Sequence, residues 1–179
     1  MNLAKWAPHA RPGAWPDADR LPVGKFGLRN YDSEPAQLGE RDTRFTRDEQ
    51  LLMLTAWTCA RSPLILGNDL RRLDDWTLRL LTNPEVLALL RVAGAREWHS
   101  VAEGHRFVCN GPQGTWAAWL NTGDTPWQAP LPAWLPDASR DCWARADLPS
   151  GTRVLTVPPH GARVVRCGMA AAGRAKKTG

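Results

Sequence analysis

The side chains best placed to do chemistry lie early in the chain, in Trp15-Pro16-Asp17-Ala18-Asp19. Two carboxylates in one loop accept hydrogen bonds. Arg20, next in sequence, adds a cation that would pair with its carboxylate neighbour. Taken alone, an Asp-x-Asp loop reads as a solvated turn. The other chemistry-bearing residues are scattered. Cys59, Cys109, Cys142 and Cys167 form no Cys-x-x-Cys pair and have no His at ligand spacing. This argues against a metal site and for buried thiols, Cys59 on a helix and the others in strand-like runs. His99, His105 and His160 are remote in sequence from Asp19 and read as turn or partly buried strand residues. There is no Gly-rich phosphate loop and no Ser-His-Asp arrangement, so no cofactor is called for.

Composition narrows the class. Hydrophobic content of 43% and charged content of 23% are those of a globular protein. The 10 Trp beside a single Tyr are not ordinary. Indole faces stack on the apolar faces of sugars, but Trp is also a large core residue, and most of these sit in apolar runs. The net charge of +5 is carried by dispersed Arg interleaved with Asp and Glu, with one basic run, Arg174-Ala175-Lys176-Lys177. No basic stripe or nucleic-acid module is present, so nucleic acid is not an expected partner. No apolar run reaches membrane-spanning length, and the first residues show no signal-peptide core, so neither a membrane nor a compartment is assigned.

The elements around the Asp17–Asp19 loop alternate between strand and helix. Residues 2–9 read as a helix end stopped by Pro8, and 13–21 as a strand end turning into a loop. Residues 22–44, rich in Gly, Pro and charge, read as a long surface loop. Thr46 and Glu49 stand at capping-box spacing before an amphipathic helix closed by Pro63. Leu64-Ile65-Leu66 has the form of a buried strand. Gly67-Asn68-Asp69 turns, Asp74 or Asp75 caps a second helix, and Asn83-Pro84 caps a third. Beyond Gly94, runs at 96–101, 105–110, 115–121, 140–146, 152–157 and 161–167 have the rhythm of an antiparallel sandwich, with a hairpin turn at 110–114. Pro126 to Pro136 reads as an irregular connection or an edge.

In this order, Trp15-Pro16-Asp17-Ala18-Asp19, Phe45-Thr46-Arg47-Asp48-Glu49-Gln50, Arg61-Ser62-Pro63-Leu64-Ile65-Leu66-Gly67-Asn68-Asp69-Leu70 and Leu81-Thr82-Asn83-Pro84-Glu85-Val86 resemble the α-galactosidase (melibiase) family, glycoside hydrolase family 27. Arg140-Asp141-Cys142-Trp143 and Pro158-Pro159-His160-Gly161-Ala162 are similar to its late strands. The resemblance implies an α/β plus all-β chain: the last two units of an incomplete (β/α)8 barrel at 1–92 and a β-sandwich at 93–168; the basic end at 169–179 reads by itself as a disordered tail. An intact barrel of this type takes about 250 residues. The implied activity is retaining hydrolysis of terminal α-galactosides or α-N-acetylgalactosaminides, which needs two carboxyl groups about 5–5.5 Å apart. In the family these are aspartates at the ends of the fourth and sixth strands, positions upstream of residue 1, so no catalytic residue is expected here. The implied substrate-binding residues are Asp19, lining the sugar pocket, with Asp17 orienting the loop and Trp15 and Arg20 beside it. The implied partners are the α-galactoside and the barrel units not in this chain.

Two positions depart from the family pattern. Arg20 stands where Met is usual, and Arg91-Val92 replaces Asn-Gln. A second reading is a carbohydrate-binding or interaction module that uses Trp116, Trp119, Trp127 and Trp134. It leaves residues 13–90 unexplained.

Overall fold

Thr46 starts the longest helix, as its spacing to Glu49 predicts. Its hydroxyl oxygen accepts the Glu49 N–H at 3.2 Å, and a Glu49 carboxylate oxygen accepts the Thr46 N–H at 2.7 Å. The computed structural model describes residues 3–26, 41–136 and 138–168. The tail expected at 169–179 lies outside the described residues, as does 27–40 of the expected long loop. The helices are α1 (Leu3–Trp6), continued by a 3-10 turn at Ala7–His9, α2 (Arg47–Ala60), α3 (Asp75–Leu81) and α4 (Pro84–Leu87). Asp74, of the two candidates, caps α3; its carboxylate accepts the Thr77 N–H at 2.6 Å. Asn83 caps α4, with Pro84 at its first position.

The strands are β1 (Arg20–Leu21), β2 (Lys25–Phe26), β3 (Arg41–Asp42), β4 (Ile65–Leu66), β5 (Ala95–Val101), β6 (Gly104–Gly111), β7 (Gly114–Asn121), β8 (Trp127–Pro130), β9 (Ser139–Asp141), β10 (Ala146–Asp147), β11 (Val154–Val157) and β12 (Ala162–Cys167). β1 and β4 pair in parallel, Arg20 opposite Ile65 and Leu21 opposite Leu66. The connection between them contains α2, the βαβ arrangement of α/β folds. Leu21, Val23, Leu54 and Leu80 bury together beneath this pair. Antiparallel pairing joins the remaining strands in a six-stranded sheet, β10-β9-β12-β7-β6-β5, and two two-stranded sheets, β11-β8 and β2-β3.

The six-stranded sheet is the middle layer of three. Cys109, Trp116, Ala118, Leu120 and Val164 meet Ala56 and Cys59 of α2 and Val86, Leu89 and Val92 on one face. Ala117, Trp119, Val165 and Cys167 meet Trp127, Ala129, Leu155 and Val157 of the small sheet on the other. Alternation along a strand explains both. β7 is covered on two sides, so Trp116-Ala117-Ala118-Trp119-Leu120 is apolar throughout. The core therefore continues across residue 92, and the helices and the sheet share it. Arg96 reinforces the join by donating to the Cys59 carbonyl at 2.9 Å and to the Leu89 carbonyl. Arg140 forms a bidentate pair with Glu85 at 2.8 and 2.9 Å.

Several expectations need correction. The long loop holds a short antiparallel pair, β2–β3, with Lys25 opposite Asp42 and Phe26 opposite Arg41, reinforced by a Lys25–Asp42 ion pair at 3.2 Å and by the Thr43 N–H donating to the Gly24 carbonyl at 2.8 Å. The run at 140–146 is two strands, since the Asp141 carboxylate accepts the Trp143 and Ala144 N–H groups and turns the chain. Cys142 thus lies in a turn, not a strand. The proline-rich stretch, by contrast, is an edge, one of its two expected forms: it contains β8, paired only with β11 among the described residues. Finally, Ile65 is 44% exposed, so Leu64-Ile65-Leu66 is not a fully buried strand.

Candidate functional site

The loop expected after a strand instead leads into one. Residues 15–19 have no ladder pairing, and β1 begins at Arg20. Pro16 has no N–H to offer. The Asp17 carboxylate accepts the Asp19 N–H at 2.8 Å, closing a local turn. Asp19 takes a left-handed conformation, φ +68°, an uncommon state for a residue other than glycine, but one that Asp tolerates.

α2 supplies the clamp that holds this loop. Its last turn ends on Arg61 with φ +57°, and the Ser62 N–H reaches back to the Trp57 carbonyl at 2.9 Å. That reversal buries Ser62, whose hydroxyl oxygen accepts the Ala18 N–H at 3.0 Å. One helical turn earlier, the Trp57 indole N–H is directed at the Asp19 carbonyl, 3.4 Å away. Both backbone groups flanking the Asp19 bend are thereby fixed by one helix end. The Asp19 carboxylate itself makes no hydrogen bond or ion pair among the described residues and faces solvent.

Arg20 does not neutralise it. The expected pairing of Arg20 with its neighbour is absent among the described residues, and the Arg20 stem lies over Gly67, just past the end of β4. A Cβ there would sit 3.3 Å from the Arg20 Cβ. Trp15 and Asp17 line a cleft of about 730 Å³ with Trp6, His9, Arg11 and Trp57. Asp19 and Arg20 lie outside that lining. The structure thus brings Trp15 and Asp17 together in one concavity and leaves Asp19 and Arg20 at its margin. Arg61 stacks over the Trp15 ring at 5.8 Å. Among the described residues, no group of three or more His, Cys, Asp or Glu could hold a metal ion, and no helix is long and apolar enough to cross a membrane.

The sandwich tryptophans do not form a second sugar platform. Trp116, Trp119 and Trp127 are buried in the two cores, and of the four only Trp134 is well exposed. A ring closed into a core has no face to offer a ligand from solution.

Comparison with known proteins decides the family. Over 85 residues the chain is 36% identical to α-galactosidase 2 of Arabidopsis thaliana, covering 48% of this chain and 17% of that protein. α-Galactosidase 3 of Arabidopsis thaliana aligns over 167 residues at 26% identity, covering 82% of this chain and 33% of the relative. A family 27 β-L-arabinopyranosidase from Geobacillus stearothermophilus superimposes with a TM-score of 0.82 at 31% identity, over 95% of this chain and 40% of that one. The chain belongs to glycoside hydrolase family 27. No family model matches it. This family 27 chain spans only 17% and 33% of the length of those two curated relatives. The arabinopyranosidase has also been solved in complex with arabinose.

For this family 27 chain, the residues missed in the sequence are the supports. Trp57 and Ser62 hold the Asp19 loop from 38 and 44 residues away, and periodicity marks Trp57 only as part of an apolar face. The Arg61-Ser62-Pro63 break, read as a helix stop, was the available signal for Ser62. Trp6 and His9 line the cleft from a segment read only as a helix end, and Arg11 from residues to which the sequence assigns no element.

Proposed function

We propose that these 179 residues form the last two barrel units and the following β-domain of a retaining α-galactosidase-type glycosidase. In this reading residues 1–92 are barrel and 93–168 the β-domain. Asp19 supplies one wall of the sugar site, with Asp17, Trp15 and Arg20 beside it. The observation that carries this is the parallel β1–β4 pair, bridged by α2, with the clamped Asp19 loop at its edge. A carboxylate free of protein partners, on a backbone fixed from two directions, is prepared to accept hydrogen bonds from sugar hydroxyls.

The reaction needs a nucleophile and an acid/base about 5–5.5 Å apart. We assign neither role to a residue of this chain, and propose that both come from barrel units it does not contain. The substrate class is a terminal α-galactoside or a sugar of related configuration.

The test is an assay with 4-nitrophenyl α-D-galactoside, α-N-acetylgalactosaminide and β-L-arabinopyranoside. The chain is measured alone and then with a polypeptide carrying the upstream barrel units of a family 27 relative. No turnover alone and measurable turnover in the mixture are expected. Asp19→Ala is expected to lower the restored kcat/KM by at least about a hundredfold while leaving association intact. Turnover by the chain alone, or restored activity indifferent to Asp19, refutes the assignment.

A further inference from the structure

A second cavity of about 380 Å³, sharing no lining residue with the cleft at Trp15 and Asp17, opens where the helices meet the β-sheet. Its lining comes from α2 (Leu51), α3 (Trp76, Arg79), the β9–β10 turn (Trp143, Arg145) and β12 (Arg163). Three guanidinium groups line this space and no carboxylate does. Arg163 is already engaged, donating to Asp141 at 3.1 Å. Arg145 makes no side-chain hydrogen bond or ion pair among the described residues. Arg79 makes none either, and acts only at a distance on the Asp74 carboxyl, which is occupied in capping α3.

The two indoles are set from behind. Trp76 donates its N–H to Gln50 at 3.1 Å, and Trp143 donates to the Thr55 hydroxyl at 3.0 Å. Each ring is thus held in place and still lines the cavity. Arg47 lies over the Trp76 ring at 4.8 Å, adding positive charge nearby. The volume falls in the range of small-ligand sites, about 300–1,000 Å³.

We propose that this cavity binds a carboxylated sugar, a hexuronate. Arg79 and Arg145 take the carboxylate, and Trp76 and Trp143 take the apolar side of the ring. A guanidinium fork matches a planar carboxylate through paired hydrogen bonds. An indole offers a flat apolar surface but, with its N–H spent, no competing donor. That a sugar carries the charge rests on the chain's membership of a glycosidase family. The site itself is built wholly from residues of this chain, so it does not depend on the missing barrel units. It is also separate from the proposed hydrolytic site, and its ligand would be an acidic residue elsewhere on the same glycan.

The experiment is calorimetric titration of the full 179-residue chain in low salt with sodium galacturonate, sodium glucuronate, galactose and sodium sulfate, with tryptophan fluorescence as a second readout. Both uronates are expected to bind and shift the fluorescence, and galactose to do neither. Arg79→Gln and Arg145→Asn are each expected to weaken uronate binding about tenfold or more. Asn is chosen because Arg145 has φ +54°, a conformation Asn accepts. Circular dichroism of both variants is expected to match the parent, since both side chains are exposed. No uronate binding overturns the proposal, as does equal binding of galactose or uronate affinity unchanged in both variants. Sulfate binding as tightly as uronate also overturns it, by showing a general anion site. None of these readouts requires hydrolysis, so a failed activity assay and a failed titration are separable results.

Discussion

At the scale of single residues, the chain places its polar groups where they close backbone turns and leaves few to act on a ligand. Asp17, Asp74, Asp141 and Asn83 all spend side-chain oxygens on nearby N–H groups. Asp19 is among the carboxylates left uncommitted, with Asp48, Asp75 and Glu103, and of these it is the one whose backbone is clamped by the Ser62 hydroxyl and the Trp57 indole. The cysteines show the opposite extreme: burial raises the thiol pKa of Cys59, and that of Cys142 to about 12, so neither is a nucleophile at neutral pH. Glu49 allows a pH test of the capping box. Hydrogen bonds from the Thr46 N–H and hydroxyl lower its carboxyl below the ordinary 4.5. A folded pKa below the unfolded one gives stability that is present above the ordinary value and lost as pH falls through the lowered one. Glu49→Gln is therefore expected to destabilise the chain at pH 7 by less than about 1 kcal/mol, this being a partly exposed cap. The difference should vanish once the pH has fallen through that lowered value. Urea unfolding of both proteins across that range checks it, and a difference that persists in acid rules out the carboxylate as its source.

At the scale of elements, what was legible followed from local chemistry. Thr46 with Glu49, Asn83 with Pro84, and the two-residue turn between β6 and β7 declare themselves through side chains that act within a few residues. What was hidden depends on distant partners. β8 lies in a proline-rich stretch that reads as either a connection or an edge, and only its pairing with β11 decides for the edge. The β9–β10 turn depends on one buried aspartate, and nothing near Asp141 in sequence distinguishes it from a strand residue. The clamp on the Asp19 loop spans residues 18 to 62, so local pattern could place the loop but not what holds it. Gly94 is a position where such a distant constraint becomes testable. It joins the helical part to β5 with φ +156°, and a Cβ there would fall 1.7 Å from the Asn110 carbonyl oxygen. The obstacle is backbone of a paired strand and has no free rotamer to escape into. Gly94→Ala is expected to cost more than about 3 kcal/mol, among the largest single-residue losses. Chemical denaturation measures it, and a loss under about 1 kcal/mol would mean that β5 and β6 shift apart at little cost.

At the scale of the molecule, the two parts of the chain are unequally supported. The β-sheet is closed into two cores, one of them shared with α2 and α4, so these helices and the sheet should unfold together. The β1–β4 pair is different. Each strand is two residues long, and no further strand among the described residues extends that sheet. Nearby, Trp6 is 62% exposed, Trp15 43% and Ile65 44%. An apolar surface beside open strand edges is a place where chains associate. Hydrogen exchange is expected to report this division. Amides of β6, β7 and β12 should exchange only through global unfolding, while Arg20, Leu21, Ile65 and Leu66 should exchange through local opening several kcal/mol lower. The same surface should bind a hydrophobic dye and drive concentration-dependent association in light scattering. Adding the upstream barrel units of a family 27 relative should suppress both and slow exchange at β1 and β4, because those units would extend the parallel sheet. If the chain stays monomeric at high concentration without dye binding, and β1 and β4 are as protected as β7, the exposed pair is stable by itself. The proposal that it awaits further barrel strands would then fall.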